Sequence, residues 1–170
     1  MIIRATKKVL NMSKMVPDKV NTILTDNLPG EWYVDLISLG RPGKFGFHFI
    51  HHPTLISVVL PGRSLSTIFQ NFTKSTRILL TRHGYGKLIP LFNLESVPHI
   101  YSTNSRSMLA YLNQVKWDSE YHCYNAPSVD EIDFAWIEDI CLDCLFGTTE
   151  SPRKYKNPRQ LLNTFKQNTP

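Results

Sequence analysis

The sequence predicts an α+β domain: an antiparallel β-meander covered on one face by amphipathic helices. Three observations predict it. Strand-like runs gather between residues 31 and 60, helical spacing dominates after residue 64, and a period-two stripe of Phe residues in the meander calls for a cover. Residues 1 to 147 read as a single domain, and 148 to 170 as a basic C-terminal tail carrying a short helix at Arg159 to Phe165. A chain of 170 residues, 42% hydrophobic and 19% charged, has globular composition and can bury about two thirds of its unfolded surface.

Taken in order, Met1 to Thr6 opens the chain as a short strand containing Ile2 and Ile3. Residues 11 to 30 lack periodicity and hold Pro17, Asn27 and Pro29-Gly30, so they read as a loop with at most a turn of helix. Glu31 to Leu39 is rich in Trp, Tyr, Val, Leu and Ile, and Gly40-Arg41-Pro42-Gly43 supplies a turn. Lys44 to Ile50 then alternates, with Phe45, Phe47 and Phe49 on one face and Lys44, Gly46 and His48 on the other. His52-Pro53 makes a second turn before the apolar run Leu55 to Leu60. Short connections make this a meander.

Ser64, after Pro61-Gly62, is a suitable N-cap for a helix in which Leu65, Ile68, Phe69, Phe72, Leu79 and Leu80 recur until Gly84. Val97 to Ser102 reads as one further strand. A second helix begins near Thr103-Asn104-Ser105, with Met108, Tyr111, Leu112 and Val115 on one side. A third starts at a capping box, Ser128 to Glu131, and runs through Ile132, Trp136, Ile137, Ile140, Cys144 and Leu145 to Gly147.

Charge is unevenly spread. The first twenty residues carry five basic and one acidic side chain, and residues 148 to 170 repeat that balance. Residues 117 to 147 carry eight acidic side chains and no Lys or Arg. The overall +5 permits a polyanionic partner, while the acidic stretch either pairs with a basic surface or repels nucleic acid from one side. No run of eighteen apolar residues is present, and Arg4, Lys7 and Lys8 occupy the place of a signal sequence's apolar core. Three cysteines read as reduced thiols, so the expectation is a cytoplasmic protein without a membrane span.

The candidate sites are few. Cys141-Leu142-Asp143-Cys144 has zinc or redox spacing, but it lies at the end of an acidic helix, where the thiolate is disfavoured. Two core cysteines explain the spacing as well, and neither a metal nor a cofactor is expected. His48 and His52 share a strand face, as an acid–base pair for RNA cleavage would require, while His51 points the other way. Packing of these rings on the sheet is the plainer reading. No G-x-S-x-G elbow, Walker loop or G-x-G-x-x-G fingerprint appears. A stronger constellation is formed by Arg-bearing turns: Arg41 with Lys44, Arg63, and Arg106, joined by Lys7 and Lys8. Arg63 and Arg106 stand where helices open, and backbone N–H groups there favour an anion.

The strings at residues 1–8 (Met-Ile-Ile-Arg-Ala-Thr-Lys-Lys), 28–33 (Leu-Pro-Gly-Glu-Trp-Tyr), 40–44 (Gly-Arg-Pro-Gly-Lys) and 103–114 (Thr-Asn-Ser-Arg-Ser-Met-Leu-Ala-Tyr-Leu-Asn-Gln) together carry a resemblance. The chain, to about Gly147, resembles an uncharacterised family of small bacterial domains and is similar to the N-terminal part of some plasmid-borne proteins. Members often begin Ile-Arg-Cys-Thr-Lys-Lys; here Ala5 replaces the cysteine, so no chemistry of this chain rests on it. The resemblance implies a bacterial, cytoplasmic protein associated with mobile elements and carries no activity with it. Three functions are therefore weighed, in this order. The first is a non-enzymatic module binding nucleic acid or a protein partner through the Arg-bearing turns. The second is a small RNA-cleaving enzyme of toxin type using His48, His52, Arg63 and Arg106. The third is a ligand-free subunit whose acidic helix meets a basic partner.

Overall fold

The computed structural model describes residues 1–19, 28–147 and 154–168. Strand β1 (Ile2–Ala5) leads through Thr6 into helix α1 (Lys7–Ser13). The Thr6 side chain accepts the Val9 N–H, and Val9 and Leu10 are the residues this helix buries. Three strands follow, β2 (Glu31–Ser38), β3 (Phe45–His52) and β4 (Ser57–Pro61), and then helix α2 (Leu65–Arg82). A 3₁₀ segment at Gly86–Phe92 precedes β5 (His99–Ser102), α3 (Arg106–Asn125), a single 3₁₀ turn at Val129–Glu131, and α4 (Phe134–Asp143). The two-residue strands β6 (Phe146–Gly147) and β7 (Tyr155–Lys156) pair with each other before α5 (Pro158–Gln167).

The predicted meander is present: β2 pairs antiparallel with β3, and β3 with β4. The sheet as a whole is mixed, which corrects the expectation of a purely antiparallel one. β1 enters between β2 and β5 and runs parallel to both, giving the order β4-β3-β2-β1-β5. A parallel β1–β2 pair needs a crossover, and α1 lies in that connection. The final run begins at Ser57 rather than Leu55, because Leu55 turns the chain with φ of 57°.

A second correction concerns the cover, which lies on both faces. Ile3, Trp32, Val34, Phe47, Phe49, Val58 and Leu60 pack with α1, α2, the 3₁₀ segment and Leu162 of α5. Tyr33, Ile37, Ile50 and Val59 pack on the other side with Met108, Leu112 and Val115 of α3 and Ile137 and Cys141 of α4. Phe47 and Phe49 are fully buried as the stripe requires, whereas Phe45, at the strand's end, remains 45% exposed. The short C-terminal helix is present and docked, with Leu162 buried and Arg159 paired to Asp143. Ser128 and Glu131 do not form the expected capping box. Their side chains bond each other directly at 2.8 Å, and α4 begins later, where Asp133 accepts the Trp136 N–H. Of the predicted loop and tail, residues 20–27, 148–153 and 169–170 lie outside the described residues.

Candidate functional site

The topology decides where the basic turns go. β1, β2, β4 and β5 all run in one direction, toward the end of the sheet where β3 begins. Lys7 and Lys8 follow β1, Arg41 and Lys44 lie between β2 and β3, Arg63 follows β4, and Arg106 follows β5. The levels differ, however: β1 and β5 finish beside Val34 and β4 beside Ile37. Arg106 opens the 20-residue helix α3 whose other end meets Arg41, so Arg106 stands about 30 Å from the β2–β3 turn at ~1.5 Å per residue. β4 and β5, which precede Arg63 and Arg106, are the outer strands, four steps or about 19 Å apart across the sheet at ~4.8 Å per step.

The side chains differ as well. Arg41 is engaged with its own chain: its guanidinium donates to the Gly40, Ala126 and Pro127 carbonyls at 2.7–2.8 Å, tying the β2–β3 turn to the end of α3. Gly40 makes that approach possible, because a Cβ there would stand 2.5 Å from Tyr124 Cα and the backbone has φ of +73°. Lys44 and Arg63 line one cleft of about 490 Å³ together with Met12, Leu39, Phe45, Pro61 and Val129. Acidic Asp130 and Glu131 follow Val129 in the chain. Lys7, Lys8, Lys44, Arg63 and Arg106 are all exposed.

The other described arginines are committed. Arg4 pairs with Glu31, Arg77 with Glu95, Arg82 with Asp139 and Arg159 with Asp143. Among the described residues, Arg63 and Arg106 are the arginines whose side chains meet neither a carboxylate nor a carbonyl. The helix starts beside them are unequal. Ser105 caps α3 by accepting the Met108 N–H, whereas Ser64 makes no side-chain cap on α2 and the Leu65 N–H goes to Ser13 Oγ.

His48 is fully buried on the α3 side of β3, with neither ring nitrogen hydrogen-bonded. Burial lowers its pKa to about 4, so the ring is neutral at pH 7. His52 stands four residues further along the strand, about 13 Å away at ~3.3 Å per residue. The two share a face, as the alternation predicts, without sharing a site. The cysteines are thiols held in the core: burial pushes Cys141 up to about 12, with Ser119 Oγ 3.8 Å away, and Cys144 reaches the Ile140 carbonyl. Among the described residues no three His, Cys, Asp or Glu side chains group to hold a metal ion.

Two buried polar clusters escaped the sequence reading. Arg4 and Glu31, both essentially inaccessible, form a fork-like pair at 2.6 and 2.9 Å. Tyr33 Oη donates toward Glu31 or Asn104, and burial beside that carboxylate holds its pKa well above the ordinary phenol value. Glu138 lines a cleft of about 250 Å³ with Arg82 and Ser75. Burial raises its carboxyl pKa to about 8, opposed by the Val59 N–H and by Arg82 at 3.6 Å. The available signal for the first cluster is an arginine inside an otherwise apolar opening strand; the parallel register that brings it to Glu31 is not a local property.

A family model described as a domain of unknown function (DUF6933) matches residues 2–161. The chain belongs to this family. The match spans nearly all of the chain, from β1 into α5. No curated protein and no solved structure matches it. Among the described residues of this DUF6933 domain, no helix is long and apolar enough to cross a membrane.

Proposed function

We propose that this domain is a non-enzymatic binding module that takes nucleic acid on the cationic end of its sheet. The observation that carries the reading is the uncommitted state of Arg63, which shares one cleft with Lys44 at the end of the sheet where β3 begins. Arginines with no internal role, placed where strands terminate, match the way proteins hold phosphates from a rigid frame. Asp130 and Glu131, exposed and next in sequence to Val129 of that cleft, would limit the side from which the ligand enters. RNA cleavage by His48 and His52 is the weaker reading, since one ring is inaccessible and the two stand too far apart to serve one phosphate.

The test is binding of a labelled duplex oligonucleotide to the protein and to its Lys44→Ala/Arg63→Ala variant. Both side chains are exposed, so folding is expected to be unchanged and affinity to fall by about tenfold or more. Equal affinity in the two proteins would remove the support for this reading.

A further inference from the structure

The α3 helix carries a second surface that the proposed role of the sheet end leaves unused. Its core stripe is Met108, Leu112, Val115, Ser119 and Cys123, all buried. Trp117, Tyr121 and Tyr124 recur at i, i+4 and i+7, which on a helix places them together on the side opposite that stripe. They are 78%, 66% and 70% exposed. With Ser38, Gly40 and Glu120 they line a shallow cleft of about 320 Å³. The aromatic surface continues through His122, whose ring meets Tyr121 edge-on at 5.4 Å and Trp136 at 4.3 Å, and Trp136 is itself half exposed. A surface aromatic cluster of this extent on a helix gains nothing from water and matches the composition of protein-binding hot spots.

The charge around it selects the occupant. Bases also stack on aromatic rings, but a phosphate backbone would then lie near Asp118, one helical turn before Tyr121, and near Asp133, which caps α4 at Trp136. Glu120 is taken by the Ser38 N–H and Lys116, leaving Asp118 as the exposed α3 carboxylate beside the stripe. Ring faces bordered by carboxylates suit a guanidinium or ammonium group, which gains from both. We infer that the Trp117–Tyr121–Tyr124 face of α3 docks an Arg- or Lys-bearing segment of a partner protein.

The experiment titrates a fluorescently labelled Arg–Ala repeat peptide into the protein and follows anisotropy. A labelled Glu–Ala repeat peptide and a labelled duplex oligonucleotide are titrated separately. The inference expects the cationic peptide to bind, the acidic peptide not to bind, and oligonucleotide affinity to be the same with and without Trp117→Ala/Tyr121→Ala. It expects Trp117→Ala/Tyr121→Ala to weaken cationic-peptide binding by about tenfold and Asp118→Asn by a few-fold, with unchanged circular dichroism. Unchanged affinity for the cationic peptide in the aromatic variant would overturn it, as would loss of oligonucleotide affinity in that variant. So would a concentration-dependent dimer mass abolished by Trp117→Ala, because the occupant would then be a second copy of the chain.

Discussion

The two faces of the sheet are both roofed, yet they are built from different chemistry. Under α1 and α2 the interior is aromatic: Trp32 meets Phe72 edge-on at 4.8 Å, and Phe49 lies 4.3 Å from the same ring. The buried histidine there, His51, has a partner at each ring nitrogen, Thr54 and the Pro29 carbonyl. Under α3 and α4 the buried set includes Arg4, Glu31, Asp35, His48 and Glu138, and His48 has no hydrogen bond. The first face is held by volume, the second by pairing and protonation. The difference teaches that substitutions of equal burial should fail in different ways on the two sides.

The largest effects should come from breaking each face by its own rule. Arg4→Met leaves the Glu31 carboxylate buried without its guanidinium, an expected loss of about 3–5 kcal/mol in urea unfolding. Adding Glu31→Leu should recover most of that loss, because two apolar groups replace a pair that was expensive to desolvate. Phe49→Ala, on the aromatic face, should cost about 3–5 kcal/mol, and here no second polar substitution rescues it. Recovery at Phe49 by a charge change, or none at Arg4, would erase the distinction.

A smaller effect distinguishes the faces by pH. The Glu138 carboxyl titrates near 4.5 when unfolded and about 8 when folded, so the folded state holds the extra proton between those values. Its stabilising contribution is complete below about 4.5 and is lost as pH rises toward 8. His48 has the opposite sign: its folded value of about 4 lies below 6.5, so its contribution is present above 6.5 and lost as pH falls toward 4. Between pH 6.5 and 8, Glu138→Gln should therefore flatten a decline in thermal stability seen in the unsubstituted protein. An identical pH profile in both proteins would contradict the assigned burial of Glu138.

How much of this was readable in the chain follows from the range of the interactions involved. The meander, with its Phe alternation, is a local pattern, as are the α2 limits at Ser64 and His83-Gly84 and the opening of α3 at Ser105. Helix α1 carried a signal in Thr6 preceding Val9, but seven residues burying two side chains leave little periodicity to detect. The central place of β1 was hidden because parallel pairing depends on distant partners: Arg4 meets Tyr33 and Tyr101 in register. The same distance hid the second covered face. Glu31 and Asp35 alternate as solvent-facing residues would, and only Arg4 and Lys116, from elsewhere in the chain, make them interior. Ser128 and Glu131 misled because side-chain spacing alone cannot separate a capping box from a direct bond. At the candidate site, the Arg-bearing turns were readable as turns; that Lys44 and Arg63 meet while Arg106 lies a helix length from Arg41 required the strand registers and the course of α3.

The central claim, that this sheet end grips phosphates, is tested most directly by the salt dependence of duplex oligonucleotide binding. Log affinity should fall against log salt, and Lys44 and Arg63 at ~0.9 ions each predict that the slope becomes shallower by about two units in Lys44→Ala/Arg63→Ala. A flat response, or the same slope in both proteins, would contradict it.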